Sequence, residues 1–194
     1  MSSRVLTIPN ILTFMRMALI PVFAILLYYQ EFGWALGTFL AAGLSDGLDG
    51  FIARRFSQQS SLGLILDPAA DKLLMTTAFI ALTIPGIVPA VRHLPIPFWV
   101  TALVIGRDVL IVVVAGAIHF VTGFRGFRPS WLGKISTAVQ VAAIGLILIA
   151  AAFPAINGVY LPVVYAFVAA FAFLSGAHYI FFIARLLNDD ARSR

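Results

Sequence analysis

Six runs of nearly continuous hydrocarbon, each long enough to cross a bilayer, constrain this chain more than any other feature. A helix crossing the roughly 30 Å hydrocarbon core needs about 20 mostly apolar residues. Runs of that kind lie near residues 10–30, 33–55, 62–85, 96–121, 132–153 and 158–187. The breaks between them hold Glu31–Gly33, Ser57–Ser61, Pro85–Pro97, Gly123–Pro129 and Pro154–Gly158, all polar or rich in Gly and Pro. Composition agrees: 61% of the residues are hydrophobic and 11% charged, where a soluble domain carries about 25% charged. The expectation is an all-α integral membrane bundle of six transmembrane helices. No break is long enough for a second domain, so one domain over residues 1–194 is expected. The first run contains Arg16 and leads straight into further spans, with no small-residue cleavage site, which argues against a secretory signal peptide.

The chain carries 13 Lys and Arg against 8 Asp and Glu, a formal charge of +5. That excess alone would suit nucleic acid, but in a membrane protein placement matters more than the sum. Arg4, Arg54, Arg55, Arg125, Arg128, Lys134, Arg185, Arg192 and Arg194 fall on the side of the two termini, and Arg92 on the other. The positive-inside rule then puts both termini in the cytoplasm. Arg125, Arg128, Arg185, Arg192 and Arg194 read as topology and headgroup anchors, and no nucleic-acid partner is expected. The chain has no cysteine, so disulfides and thiolate metal sites are excluded.

Four aspartates interrupt the hydrocarbon: Asp46 and Asp49 in the second run, Asp67 and Asp71 in the third. The i,i+3 and i,i+4 spacings put each pair on one helix face. In an antiparallel hairpin centred near Gln58, the inner pair Asp49 and Asp67 and the outer pair Asp46 and Asp71 reach matching depths. Two unit charges roughly 4 Å apart repel by about 4 kcal/mol even at an effective dielectric of about 20. Four such carboxylates require protonation or cations. Oxygen-only donors suit Mg²⁺, Mn²⁺ or Ca²⁺, and two such ions close together commonly serve displacement at phosphorus. Arg54 lies nearer the water, where a diphosphate would pair with it. Gly50, Ala53 and Gly63 keep the helix faces low enough for a ligand to approach. The competing readings are an ion or proton pathway and a structural pairing with arginine.

The stretch Asp46–Asp71 resembles the signature of the CDP-alcohol phosphatidyltransferase family, D-x2-D-G-x2-A-R-x8-G-x3-D-x3-D. Asp46, Asp49, Gly50, Ala53, Arg54, Gly63, Asp67 and Asp71 meet every spacing. The resemblance continues in TIPNILTFMR (7–16), LDPAADK (66–72), Gly106-Arg107-Asp108 and LGKISTAVQ (132–140), which look like the branch of phosphatidylglycerophosphate and cardiolipin synthases. It implies a homodimeric membrane enzyme of phospholipid biosynthesis that moves a phosphatidyl group from CDP-diacylglycerol to an alcohol and releases CMP. It implies two divalent ions, Mg²⁺ or Mn²⁺, held by Asp46, Asp49, Asp67 and Asp71. Asp71 would be the general base. Asp46, Asp49, Gly50, Ala53, Arg54, Gly63 and Asp67 would form the CDP and diphosphate site. The acceptor expected first is glycerol 3-phosphate, with phosphatidylglycerol as the alternative. The short segment before the first span, without transit-peptide character, points to a bacterial inner membrane with the site facing the cytoplasm.

Other polar residues have two readings each. Asn10, Thr13 and Arg16 recur every three residues and share a helix face. Asn10 is also placed to cap a helix. Arg16 either contacts the active-site cavity or snorkels to the interface. Arg107 and Lys134 are candidates for binding an anionic acceptor; their structural readings are an interhelical pair and a lipid-phosphate contact. Arg107 and Asp108 are neighbours that diverge around the helix, which argues against a simple pair between them. His93, His119 and His178 lack metal-ligand spacing. Trp34, Trp99 and Trp131 sit near proposed interfaces, as an aromatic belt would. A D-D-x-x-D cluster of the prenyltransferase type is absent.

Overall fold

The computed structural model describes residues 8–55, 63–88, 93–122, 131–153, 155, 156 and 158–192, with side chains at 8, 9, 46–55, 64, 65, 118–122 and 184–192 outside the description. Six α-helices account for most of it: α1 Ile8–Tyr28, α2 Phe32–Arg55, α3 Gly63–Thr83, α4 Phe98–Thr122, α5 Trp131–Ala152 and α6 Leu161–Arg192. No strand forms among the described residues; Pro85 and Val88 make an isolated bridge. The all-α expectation is borne out. Among the described residues, four stretches are long and apolar enough to cross a membrane, Asn10–Tyr28, Phe98–Ala117, Trp131–Ala152 and Leu161–Ile183. The apolar stretch Phe32–Ser45 of α2 is shorter, and α3 carries Asp67, Asp71 and Lys72 within its first ten residues. These features make the chain an integral membrane protein.

The helices group into two compact units. The first comprises residues 1–96 and 144–159, and within it α1 packs on both α2 and α3. Each of the three buries one stripe. On α2 it is Phe32, Ala35, Phe39, Ala42 and Ser45, an alternation of ring and methyl at helical spacing. Phe39 meets Phe23 of α1 with ring centroids 6.0 Å apart. On α3 the stripe is Ala70, Leu74, Ala78 and Leu82, and on α1 it ends in Phe23 and Leu27. From α5, Ile144, Ile147, Leu148 and Ala151 are also fully or nearly fully buried.

The turn between α1 and α2 shows why the two run antiparallel. Glu31 N–H bonds to Leu26 C=O and Gln30 N–H to Leu27 C=O, the paired bonds of a Schellman ending. Gln30 occupies the left-handed position at φ 61°, where glycine is usual. Its side-chain Nε2 donates to the Gly86 carbonyl oxygen at 3.0 Å, tying this turn to the loop after α3. The glycine that marked the break in sequence, Gly33, instead lies inside α2, with no atom within 4 Å of where a Cβ would stand.

The second unit comprises residues 97–143 and 160–194. Its α4 packs on α6. The buried stripe of α6 runs Leu161, Tyr165, Val168, Ala172, Ser175, Tyr179 and Ile183, and its lower end meets Leu110, Ile111, Val114 and Ala115 of α4. Helix α6 continues to Arg192, beyond the expected end at 187, because Leu186–Arg192 contains neither Pro nor Gly to stop it. Trp34, Trp99 and Trp131 are all exposed at helix beginnings, as an interfacial belt requires.

Candidate active site

The buried stripes of α1 and α3 change character at the same end of the first unit. On α1 the stripe begins Asn10, Thr13, Arg16 before it becomes apolar. All three side chains are at most 1% exposed, so Arg16 is drawn into the protein rather than extended to an interface. On α3, Asp67 and Asp71 precede Leu74, Ala78 and Leu82 along one face. The two carboxylates are half-buried, and Gly63 and Ala70 beside them are buried. The Thr13 hydroxyl donates to Asp67 Oδ1, which fixes the register of α1 on α3 at this level.

Pro68 sits between Asp67 and the rest of the face. A proline there has no N–H to give to the preceding turn. The backbone hydrogen bonding of α3 is therefore thinned beside the carboxylates. On α2, the register of the buried stripe continued along the helical backbone takes in positions 46, 49 and 53. The side chains of Asp46, Asp49, Gly50, Ala53 and Arg54 lie outside the described residues.

Asp67 and Asp71 offer hard oxygen donors one helical turn apart, with a hydroxyl beside one of them. The chain contains no thiolate. That donor chemistry fits Mg²⁺ or Mn²⁺. No group of three or more His, Cys, Asp or Glu stands together among the described residues, which exclude the Asp46 and Asp49 side chains.

The second unit holds a different polar arrangement. Arg107 is 8% exposed. Its Nε and Nη2 donate to Ser175 Oγ on α6 at 3.2 and 2.6 Å. Its Nη1 donates to Asp108 Oδ1 at 2.6 Å in an ion pair. The expectation that these neighbours would not pair is overturned. Their Cβ atoms diverge, but the long arginine chain folds back far enough for one end of the guanidinium fork to reach the carboxylate. Gly176 lies beside that path, where a Cβ would stand in ordinary contact, 3.6 Å from Arg107 Cγ. The interhelical alternative for Arg107 is thus present. Ser175 was missed in sequence, because a single serine in an apolar run carries no periodic signal. Lys134 is exposed on the first turn of α5, and His178 is exposed on α6; the side chain of His119 lies outside the described residues.

The sequence profile of CDP-alcohol phosphatidyltransferases matches residues 6–184. The chain belongs to the CDP-alcohol phosphatidyltransferase family. Among relatives of this CDP-alcohol phosphatidyltransferase family member, a human protein named cardiolipin synthase (CMP-forming) is 34% identical over 179 residues, covering 84% of this chain and 57% of its own length. A Streptomyces coelicolor cardiolipin synthase (CMP-forming) is 38% identical over 154 residues, 76% of this chain and 67% of that protein. A probable phosphatidylglycerophosphate synthase of Mycobacterium tuberculosis is 34% identical over 156 residues, 76% of this chain and 68% of that protein. The chain thus spans less than two thirds of the human relative's length.

Proposed function

We propose that the protein transfers a phosphatidyl group from CDP-diacylglycerol to a glycerol-containing acceptor and releases CMP. The observation that carries this reading is the polar end of the first unit, where the carboxylate face of α3 meets the buried polar face of α1 through Thr13 and Asp67. The family match supports the donor, because the matched residues 6–184 include all four signature aspartates. A lipid donor suits a site at the end of membrane helices, with acyl chains in the bilayer and the nucleotide toward water.

In this reading Asp46, Asp49, Asp67 and Asp71 would hold two divalent cations, Mg²⁺ or Mn²⁺. Such ions, when bound, offset the diphosphate charge and stabilise charge on the leaving group. Arg54 pairs with the diphosphate, while Gly50, Ala53 and Gly63 leave space for the nucleotide. Asp71 takes the proton of the acceptor hydroxyl as its oxygen bonds to the phosphorus of the phosphatidyl group. The phosphorus–oxygen bond to CMP breaks, and CMP leaves with the electron pair. Positioning of the two substrates supplies most of the acceleration. The protein works as a homodimer in a bacterial inner membrane, with six spans, both termini and the site on the cytoplasmic side.

Phosphatidylglycerol is the acceptor proposed first, because the human and Streptomyces relatives are both named cardiolipin synthase (CMP-forming). Glycerol 3-phosphate, the acceptor expected first from sequence, is the second reading, in line with the Mycobacterium relative's name, probable phosphatidylglycerophosphate synthase. A small dianion needs cations to receive it, and Arg16, Arg107 and Lys134 are the candidates. The deciding experiment supplies purified protein with CDP-diacylglycerol and Mn²⁺, adds each acceptor separately, and measures CMP and the lipid product. CMP release that depends on phosphatidylglycerol and yields cardiolipin supports the first reading. Release only with glycerol 3-phosphate supports the second, and no acceptor-dependent CMP with either removes the proposed activity.

A further inference from the structure

Four helical hydroxyls among the described residues bond back to their own helix. Thr38, Ser45, Thr83 and Thr137 each donate to the carbonyl oxygen four residues earlier, at 2.9, 2.7, 2.7 and 3.2 Å. That is the low-cost arrangement for a hydroxyl in apolar surroundings, because the helix supplies the acceptor. Thr13 does otherwise. A hydroxyl has one proton, and Thr13 gives it to Asp67 Oδ1, 54 residues away on another helix. Thr13 is 0% exposed, between Asn10 and Arg16 on a face that is itself buried, so its position is set by the packing of α1.

We propose that Thr13 is a positioning residue for Asp67. Its hydroxyl holds one carboxylate oxygen, fixes the rotamer of the side chain and leaves Oδ2 as the oxygen offered to a divalent cation. The neutral donor matters. A lysine or arginine at this place would orient the carboxylate equally well but would also neutralise it, which lowers its attraction for a cation. A threonine orients Asp67 and leaves its negative charge intact. Partners of this kind, one step removed from the metal, commonly set ligand geometry and affinity. Helix α1 is then a wall of the site, although none of its residues belongs to the aspartate signature. The inference rests on the reading of Asp67 as a cation ligand.

The test measures Mn²⁺ binding directly, without lipid substrate, from the paramagnetic resonance signal of free Mn²⁺ over the purified full chain in detergent. Wild type, T13S, T13A, T13V and D67N are compared, each checked for an unchanged elution profile and melting temperature. T13S and T13A both lose the methyl group and differ in the hydroxyl, so their ratio isolates the hydrogen bond even where T13V fails to fold. The expected result is T13S close to wild type and T13A weaker by roughly 10- to 100-fold, with D67N weakened at least as much. In turnover assays, T13A should need more Mn²⁺ for half-maximal rate and recover most of its kcat at saturating Mn²⁺, which a merely loosened fold would not do. Equal Mn²⁺ affinity in T13A and T13S, with D67N weakened, overturns the role of Thr13 and leaves the cation site standing. Wild-type affinity in D67N removes the cation reading of Asp67, and this inference with it.

Discussion

The two units each bring charge into a mostly apolar interior and handle it in opposite ways. In the second, Arg107 is answered from within the chain, by the Asp108 carboxylate at 2.6 Å and twice by Ser175. In the first, Asp67 receives the hydroxyl of Thr13, which orients a carboxylate without cancelling its charge. The comparison teaches how a charge closed within the chain differs from a carboxylate that is only oriented. One is closed by an opposite charge from its own helix, and the other is aimed by a neutral neighbour.

The sharpest way to break this contrast is to neutralise the first unit's carboxylates. D71N should lower CMP release by roughly 10²- to 10⁴-fold, the usual worth of a positioned general base, with little change in melting temperature. Wild-type turnover in D71N would move the chemistry elsewhere.

The second unit should respond through stability instead. D108A leaves the Arg107 charge buried beside Ser175 alone, and breaking a buried pair on one side costs about 3–5 kcal/mol. Denaturation in detergent should show that loss, whereas the double replacement R107M/D108L should recover much of it. If R107M instead keeps the wild-type melting temperature and raises KM for the acceptor, Arg107 belongs to binding and the contrast fails. A smaller effect is expected for S175A, which removes the acceptor of two arginine donors and should cost about 1.5–3 kcal/mol, read as a lower melting temperature with unchanged KM for either substrate. The least effect is expected for G176A. Its new methyl would meet Arg107 Cγ at ordinary contact distance, and alanine favours helix by about 1 kcal/mol over glycine, so the melting temperature should hold or rise slightly.

The helices were legible because length of hydrocarbon is a direct signal, and all six lie within a few residues of their expected places. Ends were less so. Composition puts the break at Glu31–Gly33, but Gln30 takes the left-handed turn position, where its side chain reaches the Gly86 carbonyl oxygen. The shared face of Asn10, Thr13 and Arg16 was visible as a period of three, but not what it faces, since the register between two helices 54 residues apart leaves no mark in either one. The Arg107–Asp108 pair escaped for the opposite reason: the direction of Cβ was read correctly, and the reach of the guanidinium was not.

The polar beginning of α1 also bears on how the molecule is made. Synthesis runs from the N-terminus to the C-terminus, so Asn10, Thr13 and Arg16 reach the translocon before Asp67, 54 residues after Thr13, has been made. An arginine costs about 2.5–3.5 kcal/mol at the centre of a span and less toward its ends on insertion scales, so the newborn helix enters lipid at a disadvantage that later packing must reverse. Assembly of the polar end of the first unit and stable insertion of α1 are therefore one event, completed when α3 arrives.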